Sequence, residues 1–449
     1  MAKKKQIELT IEEKLQNALV PKEEQPYKIP SNWCWIRLEN IAEWGSGGTP
    51  SRKRKEYYNG NIPWIKTGEL NNGYIFNSEE KITELGLKNS SAKLYPINTV
   101  IIAMYGATIG KVGILSIEAT TNQACACAIV YKNILFKYVF HYLIYQKEAF
   151  INKSKGGAQP NLSQEIIKKH EIPLPPIKEQ QRIVNRIESL FAKLDRAKEL
   201  IENTLAQFEQ NKMAILHKAF TGELTAKWRK ENNIDLSSWE KIKLGKVLLP
   251  MQTKKPTGQF FRYIDIDAID NKRQIVKAPK LILTEKAPSR ASRGVETGNI
   301  LFSMVRPYLK NIAQIDSDLS DCIASTGFYV CRCKPELNSR FLYYLFIFDK
   351  TIDYLMQFMK GDNSPSIRKD DLLNMKIDLP TIEEQQEIVN ILDNLLAKYN
   401  KIKNLEQQLE KIELLKKAIL AKAFRGELGT NNPDEESAEN LLKEILAEK

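Results

Sequence analysis

Histidine is nearly missing from this chain: three in 449 residues, His141, His170 and His217, widely scattered. A histidine-built metal site has no basis here. Cysteine is sparse as well. Six are too few for a disulfide framework, and the pairs Cys125/Cys127 and Cys331/Cys333 are spaced C-x-C, not as in a zinc knuckle. Residues i and i+2 share one face of a strand, so buried thiols are expected at both pairs. Long apolar runs are also lacking. FLYYLFIF (341–348) is the longest strongly apolar run, short of the roughly 18 residues that a membrane span needs. The opening MAKKKQIELTIEEKLQNALV is basic but has no apolar segment of the secretory kind. The expectation is a reduced, soluble, cytoplasmic chain.

Signatures of catalysis are missing too. GATIGKV (106–112) has three residues between its glycines and Val112 after the lysine, where a phosphate loop needs four and then Ser or Thr. GSGGTPSR lacks the spacing of a dinucleotide site. The chain contains no [DN]-P-P-[YF], H-E-x-x-H or G-x-S-x-G. The acidic run YIDIDAID (263–270) offers Asp265, Asp267 and Asp270 to a metal, but alternation along a strand accounts for it more simply. No catalytic residue, no metal site and no cofactor of the chain's own is expected.

What is present is positive charge, and it is divided. Residues 31–170 carry 17 Lys/Arg against 10 Asp/Glu, and residues 232–376 carry 23 against 16, out of a total net charge of +12. Two basic blocks of similar size suit two polyanion-binding modules. The apolar fraction of 43% is enough for folded cores.

The chain also repeats itself. IPLPPIKEQQRIVNRI (172–187) aligns with IDLPTIEEQQEIVNIL (377–392), and SNWCWIRL (31–38) with SSWEKIKL (237–244). GAQPNLSQEII (157–167) matches DNSPSIRKDDL (362–372) more weakly, and KAFTGEL (218–224) returns as KAFRGEL (422–428). Four anchors in one order, at offsets of 204 to 206, indicate a duplicated half. Each half opens with β-branched and aromatic runs bounded by Gly, Pro and Asn, which predict a mixed α/β globule. Each closes with a stretch free of Gly and Pro, from Ile177 to Thr221 and from Thr381 to Arg425.

Those stretches predict helices of about 60 Å at 1.5 Å per residue. Ile183, Ile187, Leu190, Leu194, Ala197, Ile201 and Phe208 form one stripe; Ile388, Leu392, Leu395, Tyr399, Ile402, Leu405, Leu409, Ile412, Leu415 and Ile419 form the other. Steps of three and four make narrow coiled-coil seams, for which each helix is the other's nearest partner, antiparallel; the alternative is that each helix packs on its own globule. Gly222 and Gly426 stand where helices stop.

Basic loops mixed with amides and aromatics are the ingredients of groove reading. In the first block the candidates are Gly47, Gly48, Thr49, Ser51, Arg52, Lys53, Arg54 and Lys55, then Lys66, Tyr105, Lys111, Asn122, Gln123, Gln159 and Asn161. In the second they are Gln252, Lys254, Lys255, Arg262, Arg290, Arg293, Arg306, Lys310, Ser364 and Arg368. The linking segments match between halves while these loops differ, so two different half-sites are expected on a pseudo-twofold frame. Two competing readings stay open on residues alone: a coiled-coil scaffold whose basic blocks bind acidic protein or RNA, and an enzyme with an unfamiliar acidic site.

GGTPSR (47–52) with IPWIKTGEL (62–70), GAQPNLS (157–163), the two LP-x-I-x-EQ segments and the two KAF-x-GEL ends together resemble the specificity subunits of type I restriction–modification systems, over nearly the whole length. The second copy has LPT at 379–381 in place of LPP. The resemblance implies an N-terminal arm (1–30), a target-recognition domain (31–171), a central helical spacer (172–231), a second recognition domain (232–376), a C-terminal spacer (377–429) and an acidic tail (430–449). It further implies double-stranded DNA as ligand and two modification subunits that methylate adenine N6 with S-adenosylmethionine. Restriction subunits that use ATP and Mg are implied as well. Docking is expected on the spacers, with Ile183, Ile187, Leu190, Leu194, Ile388, Leu392, Leu395 and Ile402 as candidates, and the arm and tail as braces for the partner.

Overall fold

The duplication is plainest in two short antiparallel ladders. Cys34–Arg37 pairs with Glu171–Leu174, and Glu240–Lys243 pairs with Lys376–Leu379, with Cys34 opposite Leu174 and Glu240 opposite Leu379. The computed structural model describes residues 10–154, 161–400 and 403–448. They divide into two units, one running to Glu199 and resuming at Gln408, the other spanning Leu200–Gln407.

In the first unit a five-stranded sheet runs Ala42–Ser46, Cys125–Val130, Val100–Ala103, Val112–Leu115, Gly73–Ile75, and a three-stranded sheet runs Glu80–Ile82, Tyr58–Ile65, Thr120–Thr121. The second unit has two four-stranded sheets: Leu248–Leu249, Phe328–Cys333, Ile300–Ser303, Ile312–Gln314, and Lys280–Leu283, Phe260–Ile264, Ile323–Ser325, Ala291–Gly294. Val, Ile and Cys fill the central strands because both faces are covered. Cys125 and Cys127 lie together in one core on their strand, and Cys331 is buried in another. Burial pushes the Cys127 thiol up to about 12, so these are inert packing residues.

A 44-residue central helix, Ile177–Phe220, starts in the first unit and ends in the second; the later stretch is helical over Ile382–Asn400 and Lys403–Phe424. In the first unit, Lys198 meets Glu413 and Asp195 meets Lys416, so partner numbers rise as helix numbers fall and the segments are antiparallel. In the second unit, Leu216 and Ala219 share a core with Ile388, Val389 and Leu392.

Each helix end is a plug. Phe424 packs among the aromatic rings of helix Phe136–Tyr145, 5.0 Å from Tyr142, and Phe220 among those of the next copy, 5.3 Å from Phe341. Gly222 and Gly426 follow at φ +81° and +71°, a conformation that glycine adopts without strain. Thr225 and Thr430, just beyond, donate 2.6 Å hydrogen bonds to the buried carboxylates of Glu384 and Glu179. Beside each carboxylate a glutamine ties the helix start to the globule. Gln180 donates to the Pro175 carbonyl and accepts from Leu135 N–H; Gln385 does the same with Pro380 and Asn338. The E-Q of the repeated motif is therefore a clamp: the glutamate holds the segment just beyond KAF-x-GEL, and the glutamine holds the globule.

The arm and tail are built into the first unit. Helices Ile11–Ala18 and Ala438–Glu448 bring Leu15, Ala18, Ala438, Leu442, Ile445 and Leu446 into its core. Arg182 joins Glu179 to Glu435 of the tail.

The expected docking stripe is partly consumed by this packing. Ile183, Ile187, Ile388 and Leu392 are fully buried in the cores of their own units, while Leu190, Leu194 and Leu395 are half-buried. Leu415, expected in the seam, is 50% exposed, as is its neighbour Leu414 at 64%. Ile402, the Tyr399 side chain and Gln159 lie outside the described residues.

Candidate nucleic-acid interface

In the first unit the basic loops are sewn to one another by backbone hydrogen bonds. Gly48 N–H donates to Thr121 O, Asn122 N–H to Ile65 O, Met104 N–H to Ala124 O and Leu162 N–H to Met104 O. Thr49 bonds Gln123 across the gap. Thus Thr49, Lys66, Tyr105, Asn122, Gln123 and Asn161, distant in sequence, come to one end of the unit, with Lys111 on the same 104–111 hairpin. Ser51, Arg52, Lys53, Arg54 and Lys55 project from the neighbouring loop, all exposed. Gly47 and Gly48 are not part of that surface. A Cβ on Gly47 would stand 2.2 Å from Thr121 O, and one on Gly48 2.3 Å from Ala92 N, so both let the loop pass over the protein's own backbone.

The second unit repeats this stitching with other side chains. Met304 N–H donates to Gly327 O and Met304 O accepts from Ile367 N–H, as Met104 does between Ala124 and Leu162. Lys254 N–H donates to Ser292 O, and Thr326 N–H to Arg290 O. Gln252, Lys254, Lys255, Arg290, Arg306, Ser364 and Arg368 are exposed at this end, and Arg293 is half-buried with its Nε unpartnered. Arg306 sits in the left-handed region at φ +48° and donates to Asn363 O at 2.9 Å. Two candidates are drawn into internal structure. Arg262 binds Asp321 at 2.8 Å, and Lys310 donates to Ile347 O at the end of helix Ser339–Ile347 and to Asp349.

Charge at the first unit's end is organised around Glu80. Arg52 grips it with both terminal nitrogens, at 2.5 and 3.2 Å, while stacking 4.5 Å over Tyr58 and 5.0 Å over Trp64. Lys66 reaches Glu80 at 3.1 Å and Glu79 at 3.0 Å. Arg52's hydrogen bonds hold the Glu80 carboxyl below the ordinary carboxylate range. A guanidinium pinned this way still presents outward N–H donors in a fixed plane. Glu79 and Glu80 carry no cation or amide signal in the sequence that would mark them for groove reading. The strand alternation that places Glu80 beside Lys66 was visible only once pairing was known.

The acidic run is dispersed. Asp265 caps Ala268 N–H and pairs with Lys280, and Asp270 accepts from Lys272 and Arg273 N–H. No group of three or more His, Cys, Asp or Glu is placed to hold a metal among the described residues. No helix among them is long and apolar enough to cross a membrane.

Comparison with known proteins shows the family and the fold. The model of the type I restriction modification DNA specificity domain matches residues 30–207 and again 239–414. The chain belongs to that family and carries its domain twice in tandem. It is 26% identical to the MjaIX specificity subunit of Methanocaldococcus jannaschii, over 89% of this chain and 94% of that one. Against the EcoDI specificity subunit of Escherichia coli it is again 26% identical, over 94% and 96%. A more local match, 35% over 156 residues, covers 33% of this chain and 39% of the Escherichia coli EcoR124I/EcoR124II specificity subunit. Two solved structures share the fold. One, described as underlying complex assembly and conformational transition of the type I R-M system, matches at TM-score 0.68 and 21% identity, over 90% of this chain and all of that one. The HsdS subunit of Thermoanaerobacter tengcongensis matches at 0.54 and 21%, with the same coverage.

Proposed function

We propose that the chain is the DNA-reading subunit of a type I restriction–modification complex, binding a split, asymmetric duplex site with one half-site per unit. The observation that carries this is the same loop frame, hung on Met104 in one unit and Met304 in the other, bearing different side chains. One scaffold used twice with different surfaces suits two half-sites of different sequence. The helical segments joining the units set the gap between half-sites, and spacer residues left exposed, such as Leu414 and Leu415, offer docking area to modification subunits. Methyl transfer to adenine N6, with S-adenosylmethionine, and ATP- and Mg-dependent cleavage belong on this reading to partner subunits, and the chain alone neither methylates nor cuts.

The test is a genome-wide map of N6-methylated adenine with the gene present and deleted. One split motif is expected to lose its methylation on deletion. Identical maps from a strain in which the chain co-purifies with a modification subunit would overturn the reading.

A further inference from the structure

All three strands of the first unit's three-stranded sheet have counterparts in one four-stranded sheet of the second unit, which adds Ala291–Gly294 at its edge. Tyr58–Ile65 pairs antiparallel with Glu80–Ile82 and parallel with Thr120–Thr121; Phe260–Ile264 pairs antiparallel with Lys280–Leu283 and parallel with Ile323–Ser325. Trp64 lies opposite Glu80 and Thr120, and Tyr263 lies opposite Lys280 and Ile323. Glu80 therefore occupies the position of Lys280. Just past the central strands, Lys66 and Asp265 each stand at the N-cap of a one-turn 3₁₀ helix, Thr67–Glu69 and Ile266–Ala268. Lys66 occupies the position of Asp265.

Both places carry a cross-strand ion pair, and its polarity is inverted. Lys66 Nζ lies 3.1 Å from Glu80 Oε1, whereas Lys280 Nζ lies 2.5 Å from Asp265 Oδ2. All four side chains remain partly open to solvent, from 23% for Asp265 to 52% for Lys280. Each pair borders the loop end described above. Ile65 O accepts from Asn122 N–H, and Ile264 lies opposite Ala324, two residues before Thr326, which bonds Arg290 O.

The ion pair by itself does not explain the inversion, since a partly exposed pair contributes only about 0–1 kcal/mol in either polarity; Asp265 has in addition the cap on Ala268 N–H, which K280Q leaves in place. Base reading would give the inversion a role. An ammonium or guanidinium donates to guanine O6 and N7, and a carboxylate accepts from the cytosine amino group. Inverting the pair exchanges donor and acceptor over the same stretch of groove. We propose, resting on the reading of both units as DNA readers, that Lys66–Glu80 and Asp265–Lys280 are equivalent specificity-determining pairs. Their polarity sets the donor–acceptor order that each unit presents to its half-site. Arg52, stacked on Tyr58 and Trp64, extends the donor side in the first unit.

The test is the double variant D265K/K280E in the full-length chain, which gives the second unit the polarity of the first without changing net charge. Purified wild type and variant are each incubated with randomised DNA duplexes, and the bound fraction is sequenced. The variant is expected to change the preferred bases of one half-site, keeping the other half-site and the gap. Affinity for non-specific duplex should stay within about twofold, because the number of phosphate-neutralising charges is unaltered. A variant that melts cooperatively and still selects the wild-type motif overturns the proposal. If the double variant does not fold, K280Q, which removes one exposed ammonium, is expected to relax preference at that half-site alone; unchanged preference there overturns the proposal equally. A wild-type chain that selects no split motif strikes instead at the reading of the units as DNA readers, and the pair falls with it.

Discussion

Two buried histidines make the first unit sensitive to acid. His141 has both ring nitrogens unpartnered between Phe140 and Phe191, and burial lowers its pKa to about 4; burial and then Lys153 lower His170 to about 3. The native state therefore binds these protons more weakly than the unfolded chain. Stability is full above about pH 6.5 and declines as pH falls toward 4, by up to about 1.4 kcal/mol per pH unit for each group. Thermal melts between pH 7.5 and 4.5 should show this slope, and H141F should reduce it by about half, leaving the His170 share, while raising neutral-pH stability by about 1 kcal/mol, since no polar atom is left unpaired. Glu384 is the opposite case, a buried carboxylate held by Arg229, Thr225 and Trp239. R229A strands that charge and should cost about 3–5 kcal/mol in denaturant titration, while T225V should cost about 1 kcal/mol.

At the scale of elements, the KAF-x-GEL ends matter more than a helix stop. A Cβ on Gly426 would stand 2.4 Å from Pro30 Cγ, in addition to the strain of φ +71°. G426A should lower stability by at least about 1 kcal/mol, read as a fall in melting temperature. Removal of residues 430–449 takes Thr430 and Glu435 from the Glu179–Arg182 cluster and exposes the core around Leu442 and Ile445. The truncated chain should lose cooperative melting of its first unit. Unchanged unfolding would show that the tail is dispensable. In sequence the helix end is legible only as a stop signal, and the family resemblance implies for the acidic tail only a brace for the partner subunit. Their roles arise from contacts some 250 residues apart, such as Thr430 with Glu179, which no local pattern announces.

At the scale of the whole molecule, function depends on keeping two readers distinct and in register. Exchanging residues 31–170 for the equivalent block of a relative should change one half-site only; a change in both would contradict independent reading. Inserting one helical turn after Glu199 lengthens the helix by about 5.4 Å. The tolerated gap should then grow, as measured by methylation or by selection from a duplex pool.

Duplication, helix, strand-rich blocks and basic loops were legible in the sequence because each is a local or periodic property. LP-x-I-x-EQ appears twice whether or not the chain is folded, and a Gly-free run with apolar steps of three and four is helical almost anywhere. The clustered cations and amides of the candidate surface were legible for the same reason. The sequence did not distinguish Gly47 and Gly48, which relieve crowding against the chain's own backbone, from Thr49, which faces solvent. Nor did it separate Arg262 and Lys310, drawn into internal bonds, from the free Lys254 and Lys255. Strand register decided that Glu80 and Lys280 hold one place, because opposite neighbours across a ladder are fixed by pairing and not by order along the chain. Sequence determined what this protein is made of and that it is made twice; tertiary structure decided which charges meet, because that depends on distances between residues that only folding brings together.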